Sequence, residues 1–288
     1  MNENCQVRLF ADDALVYTMG YSTAEINVNL NKQIEKIEEW LEKSKLQLNV
    51  NKTKAMLIKE VRKKTADNSL KIKIKNTVIE VVEEIKYLGV IIDRNLRFSA
   101  HVNYIGKKVG SKLGVLRRVG EDLTPYARCS IYKATIAPLF EYCASLLISI
   151  YECDLKYLQK LQNQAMRIIL RCNRRTKVKD MLEALQFMSI RQRIEFNVYI
   201  LIFKMRNEMC PSYLATNIKY VQNDNIATRQ EGNIYISRCK TSNEQRTLMY
   251  KGFSMYNKLP IDLKNEKELY RFKEEIVKFI RNNKMEYT

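Results

Sequence analysis

Histidine is nearly missing from this chain. His101 is the only one in 288 residues, so no second imidazole can share a metal or complete a dyad, and histidine-based chemistry is set aside. Glycine and proline are scarce as well, at 8 and 4 residues. With so few breakers, long helices joined by few tight turns are expected, with strands only where alternation is strict. No two of the seven cysteines (Cys5, Cys129, Cys143, Cys153, Cys172, Cys210, Cys239) stand in a Cys-x-x-Cys pair. That argues against a zinc knuckle or a disulfide scaffold and for reduced thiols inside the cell, in the nucleus or cytoplasm. No basic segment followed by an apolar run opens the chain, so a secretory signal is not expected. The most apolar window, residues 135–151, carries Glu141 and is short for a bilayer span, so a buried helix and no membrane partner are expected.

What the chain has in excess is positive charge. Fifty Lys and Arg stand against 32 Asp and Glu, a formal net charge of +18, enough to draw a polyanion to the surface. The surplus is uneven: residues 155–209 hold twelve basic and four acidic side chains. Nucleic acid is the expected partner, bound along that stretch. At 46% hydrophobic residues, the chain has material for a sizeable core.

Two short apolar runs, 7–10 and 14–18, flank a polar Ala11-Asp12-Asp13 and predict a β-hairpin. Ile26, Leu30, Ile34, Ile37 and Leu41 then recur at helical spacing, predicting one amphipathic helix from Thr23 to about Leu46. Leu46, Leu48 and Val50 alternate and a short apolar run follows at 55–58, so two strands, or a strand and a bend, are expected. Leu70, Ile72 and Ile74 alternate with lysines, Asn76 can turn the chain, and β-branched residues continue over 78–82 and 87–92. A hairpin followed by a further strand is predicted there. From Phe98 the periods become helical: one helix carries Val102, Ile105, Val109, Leu113 and Leu116. A second covers 126–150, kinked or split at Pro138, and others cover 155–170, 179–185 and 190–209. Cys210-Pro211-Ser212 is a break, 217–245 reads as loop or weak strand, and a last helix spans about 268–282.

The chemistry-bearing feature is Phe10-Ala11-Asp12-Asp13 between two short strands. Phosphoryl transfer on paired metal ions needs carboxylates held rigidly, and a hairpin tip does that. Adjacent strand residues face opposite ways, so the two acids take unequal parts: Asp12 on the metal, Asp13 in a supporting or outer role. An ordinary solvated Asp-Asp turn is the competing reading.

The order of segments resembles the palm of reverse transcriptases of non-LTR retrotransposons, the jockey-like kind. The resemblance is carried by Leu9 to Tyr17 (LFADDALVY), by Trp40 within the first helix, by residues 46–54 (LQLNVNKTK) and by residues 86–90 (KYLGV). It continues through Ile91-Ile92-Asp93 and His101, the run LKYLQKLQNQAMRIIL at 155–170, Tyr256-Asn257-Lys258-Leu259-Pro260 and Phe272-Lys273. It implies an α+β fold, a partial polymerase palm of short antiparallel sheet plus helix over 1–97. A basic helical thumb-like unit over 98–210 and a C-terminal region over 211–288 would follow.

The function the resemblance implies is RNA-directed DNA polymerisation, with Mg2+ as cofactor and an RNA template with DNA primer, or an RNA–DNA duplex, as partner; another protein encoded by the same element is a further candidate partner. Carried over residue by residue, Asp12 and Asp13 are the metal and catalytic carboxylates. Lys52 and Lys54 lie where the family places a lysine near the incoming triphosphate, Lys54 as the catalytic candidate. Tyr87, Leu88 and Gly89 match the primer-grip element, although a plain hairpin glycine explains Gly89 equally. For nucleic-acid phosphates the candidates are Lys107, Lys108, Lys112, Arg117 and Arg118, then Arg167, Arg171, Arg174 and Arg175. The sequence departs from the family in having only eleven residues before Asp12, where the family has another metal-binding Asp and the fingers. Neither Asp93 nor Asp122 stands in that position, and Tyr256 stands where a Trp is usual. The expectation is a catalytically incomplete fragment; the alternative is a non-catalytic, basic nucleic-acid-binding protein that keeps the helices.

Overall fold

In the computed structural model the described residues are 5–59, 70–75, 77–221 and 233–282. They form an α+β chain in two compact units, Met1–Leu96 and Arg97–Thr288.

The first unit opens with β1, Cys5–Phe10, and β2, Asp13–Thr18. They pair antiparallel from Cys5↔Thr18 to Phe10↔Asp13, leaving Ala11 and Asp12 as the connection. Helix α1, Thr23–Lys43, follows. Ser22 starts it by accepting from the Glu25 amide at 3.2 Å, an N-cap that satisfies one of the free donors of the first turn. Ile26, Leu30 and Ile34 form its apolar stripe and pack on Leu70, Ile72, Ile74 and Ile79. A single 3-10 turn, Val50–Lys52, occupies part of the stretch that alternation marked as strand.

Among the described residues the strands form four two-stranded ladders, three of them antiparallel as expected and one parallel. Strands β3 (Lys54–Ala55) and β6 (Glu80–Val81) pair in parallel, while β4 (Lys73–Ile74) pairs antiparallel with β5 (Thr77–Val78). Asn76, the expected turn residue, lies outside the described residues. The edge next to β4 is closed by side chains of α1. Asn27 Oδ1 accepts from the Lys71 amide at 2.9 Å, Asn31 Oδ1 from Lys73 at 3.0 Å and Glu38 Oε1 from Lys75 at 2.7 Å. Alternate amides of an edge strand point one way, and here a helix presents acceptors to three of them in turn.

The expected single strand over 87–92 is corrected to a hairpin: β7, Glu84–Tyr87, pairs with β8, Val90–Asp93. Leu88 (φ 45) and Gly89 (φ 82) make its two-residue loop. Positive φ at both positions twists a hairpin in the sense its strands prefer, and glycine adopts it without strain.

The second unit is helical: α2, Ser99–Val119; α3, Pro125–Thr135; α4, Ala137–Glu141; α5, Ala144–Leu147; α6, Glu152–Leu170; α7, Val178–Leu185; α8, Ile190–Arg206. After Pro211 come α9, Ser212–Ala215, α10, Ser242–Gln245, a π turn at Leu248–Gly252, α11, Phe253–Asn257, α12, Ile261–Asn265, and α13, Leu269–Asn282. The expected helix over 126–150 is in three pieces, broken before Pro138 and again at Cys143, whose φ is 55. The one expected over 190–209 stops at Arg206, and Glu208 follows with φ 55.

The apolar stripe of α2, Val102 to Leu116, is fully buried. Gly106 lets Tyr157 of α6 rest on the α2 backbone: a Cβ there would lie 2.6 Å from Tyr157 Cε1. Ser99 Oγ donates to Asp154 Oδ2 at the starts of α2 and α6, and Arg171 reaches the Gly120 carbonyl at their ends, so the two run side by side in one direction. Gln162, buried between α3 and α8, donates to the Met188 carbonyl at 2.9 Å, and Ser189 and Gln192 cap α8 reciprocally. Phe203 and Phe272 stack at 4.3 Å to seat α13. Asn257 makes two bonds to one residue, accepting from the Ile234 amide at 2.9 Å and donating to its carbonyl at 2.8 Å.

Candidate functional site

Asp12 sits in the two-residue loop of the first hairpin and Asp13 is the first residue of β2, both exposed. Ala11, ahead of them, has φ 51. An alanine in the left-handed region costs about 1 kcal/mol or more, so the tip is held against a local preference and fixes where the following carboxylates emerge. The two acids leave from successive positions, as the alternation of strand side chains requires. Leu9 and Phe10 beside them are 68% and 63% exposed. Among the described residues no group of three His, Cys, Asp or Glu is placed to hold a metal. Two adjacent carboxylates fit part of an oxygen shell, since Mg2+ fills remaining positions with water and substrate phosphates.

Lys54 is committed elsewhere: its ammonium forms an ion pair with Glu80 across the parallel β3–β6 ladder. Lys52 ends the 3-10 turn, exposed, its amide held by Asn49. Tyr87 closes β7, and Leu88 and Gly89 are the turn itself.

In the second unit Lys107, Lys108, Lys112, Arg117 and Arg118 are all exposed on α2. Lys108 lies over the Tyr104 ring at 4.5 Å. Arg171 is a clamp: ending α6 at φ 52, it donates to the carbonyls of Gly120, at 3.2 Å, and Glu121. Arg167 reaches the Arg174 carbonyl at 3.4 Å, and Asn173 Oδ1 accepts from the Arg175 and Thr176 amides. Arg128, which the sequence did not single out, is buried and donates to the Ile168 carbonyl at 3.0 Å. Burial, and then neighbouring Arg171, lower its pKa. Both clamps place cations against the carbonyl ends of helices, where the helix dipole favours them. No sequence signal marks Arg128, because its partner lies forty residues away in the chain. Arg117, Arg118, Arg167, Arg174 and Arg175 gather at the end of α2 and α6, and among the described residues no ion pair reaches any of them.

A cavity of about 30 Å³ elsewhere in this unit is lined by Glu152, Arg191, Glu195 and Lys251 together with apolar side chains. Burial pushes the Glu195 carboxyl up and the Lys251 ammonium down. It has room for one or two waters and no larger ligand.

Residues 1–92 match the protein family described as "Reverse transcriptase (RNA-dependent DNA polymerase)". The chain is 28% identical over 184 residues to a "Retrovirus-related Pol polyprotein from type-1 retrotransposable element R1 4" of Nasonia vitripennis, covering 58% of this chain and 47% of that protein. It is 32% identical over 90 residues to a "Probable RNA-directed DNA polymerase from transposon X-element" of Drosophila melanogaster, covering 30% and 10%. Over 170 residues it is 24% identical to the "RNA-directed DNA polymerase from mobile element jockey" of Drosophila funebris, covering 57% and 18%. The chain thus spans about half, or less, of the length of these relatives, and no solved structure matches it. The resemblance to non-LTR retrotransposon reverse transcriptases holds over about half of the chain.

Proposed function

From the reverse transcriptase match of its first 92 residues, we propose that this chain is a segment of an RNA-directed DNA polymerase of a non-LTR retrotransposon. In this reading the first unit is part of the palm and the second is thumb-like. The observation that carries it is the pair Asp12 and Asp13 on a strained two-residue hairpin inside the matched segment. Asp12 takes Mg2+ with Asp13 beside it. The ion would neutralise charge developing on the transferred phosphoryl group, and the chain's own part is to hold the carboxylates where the hairpin tip sets them. Lys52 is the better placed of the two lysines for a triphosphate, because Lys54 would first have to leave Glu80. The hairpin turn at Tyr87, Leu88 and Gly89 offers a projecting backbone for a primer strand, and Lys107, Lys108 and Lys112 of α2 face the phosphates of an RNA–DNA duplex. The seven thiols are free, and we place the protein inside the cell.

Two carboxylates from one turn do not fill a two-metal site, so the isolated chain is expected to bind primer–template without extending it. The test is primer extension on an RNA template with Mg2+, using the chain and Asp12→Asn, alongside binding of the labelled RNA–DNA hybrid. Extension that disappears in the variant would overturn the incompleteness while upholding the polymerase reading. Absence of hybrid binding at low salt would overturn both. A second reading, binding without catalysis, is favoured by the uncompensated arginines at the end of α2 and α6; under it Asp12→Asn changes no property of the protein.

A further inference from the structure

The arginines at the end of α2 and α6 share that end of the bundle with the exposed aromatic ring of Tyr126. Loop 120–124 is fastened to the turn after α6 by Arg171, and the first turn of α3 is fastened to the last turn of α6 by Arg128. Tyr126 lies in that first turn of α3, behind the Thr124 cap and Pro125, and is 83% exposed. Arg174 and Arg175 lie exposed in the turn held by Asn173, and Arg117 and Arg118 in the last turn of α2. An unpaired guanidinium group binds a phosphate in any nucleic acid. A bare aromatic face is of use only to a base that has left its stack, because in a duplex both faces of each base are already covered.

We propose that this end of the helical unit is a landing site for single-stranded nucleic acid, with phosphates on Arg117, Arg118, Arg174 and Arg175 and one base stacked on Tyr126. It rests on the reading of the chain as a polymerase segment only in that both involve nucleic acid. The cations midway along α2, Lys107 and Lys108, serve a duplex; this end serves the strand that is not paired. Arg128 and Arg171 act as positioning residues: Arg128 Nη1 and Arg171 Nη2 donate to backbone carbonyls that lock the loop and the turn together.

The test is fluorescence anisotropy with the full chain and labelled 12-nucleotide single-stranded RNA, single-stranded DNA and RNA–DNA hybrid over a salt series. Tyr126→Ala is expected to weaken single-strand binding about tenfold, the effect of losing one stacked base, and to leave hybrid affinity unchanged. Tyr126→Phe is expected to restore it. The pair Arg174→Ala, Arg175→Ala is expected to lower the salt slope for single strands by about 1.4, at roughly 0.7 per phosphate. If Tyr126→Ala alters single-strand and hybrid binding equally, or neither, the assignment fails. Preference between the RNA and DNA strands identifies which one lands here. Primer extension with Asp12→Asn is read separately from these affinities, so failure of the catalytic reading and failure of this inference are distinguishable.

Discussion

Gly106, Gly110 and Gly114 stand four apart along α2, and their surroundings differ. A methyl at Gly106 would strike Tyr157, whereas nothing lies within 4 Å of one at Gly110. Because a helix turns 400° in four residues, the stripe rotates out of the α6 contact into open space. Gly106→Ala is therefore expected to lower stability by about 1–3 kcal/mol through overpacking. Gly110→Ala should raise it by about 0.5–1 kcal/mol by removing backbone freedom from the unfolded chain. Urea midpoints of both variants check this, and equal signs for the two would refute it. His101 is buried, and burial, followed by Lys108, lowers its pKa below 6.5. A depressed folded value means that the unfolded chain binds the proton more readily. The stability this histidine contributes is thus full above 6.5 and is lost as pH falls below it. Between pH 7.5 and 5.5 the native chain should lose more stability than His101→Leu; a larger loss in the variant would reverse the sign and sink the argument.

At the scale of elements, the ladder from α1 to the strand edge at 71–75 substitutes side-chain acceptors for a missing strand. Asn31 serves it twice, accepting from Lys73 and donating to the Lys71 carbonyl at 2.9 Å. Asn31→Ala should cost the first unit about 0.5–1.5 kcal/mol per bond lost. Hydrogen exchange should show the Lys73 amide deprotected while α6 and α8 are unaffected; unchanged protection at Lys73 would mean that water or a neighbour replaces the asparagine at no cost. The first hairpin and helices α1, α2, α6, α8 and α13 were legible in the sequence because each repeats one apolar period over several turns or alternates around a polar tip. The break at Leu88-Gly89 was legible only as the competing hairpin account of Gly89, since Val90 to Ile92 continue a β-branched run and leucine is no turn residue. The second break after Pro138 falls on Cys143, whose left-handed backbone no composition rule foretells. Of the candidate site, the placement of Asp12 and Asp13 at a hairpin tip was readable from local order. The Lys54–Glu80 pair and the Arg171 clamp were not, because each joins residues far apart in the chain.

Over the whole molecule, the two units differ in how much apolar surface they bury. Four side chains, Leu70, Ile72, Ile74 and Ile79, make the buried cluster of the first unit, while the second encloses one continuous core running from Val102 to Ile280. The first unit also leaves Asn29 Nδ2 and Gln33 Oε1 buried without a hydrogen-bond partner, a cost the larger unit can spread over far more burial. Urea should therefore melt the chain in two steps, with the first unit opening at the lower concentration. Strong and uniform hydrogen-exchange protection across residues 7–92, equal to that of α6, would rule this out.

The paired bonds between Asn257 and Ile234 act as a clip with a single tooth. A ladder of several rungs can slip by two residues and re-form, but a lone carboxamide bonded to both the N–H and the C=O of one residue has no second register to fall into. The extended segment at 234 is thereby pinned at one point to α11. Exchanging that nitrogen for oxygen in Asn257→Asp would set a carboxylate against the Ile234 carbonyl, turning an attraction into a repulsion where α11 grips the segment, and leaving it to the bridge with Tyr220 and the Lys264 contact to Asn233.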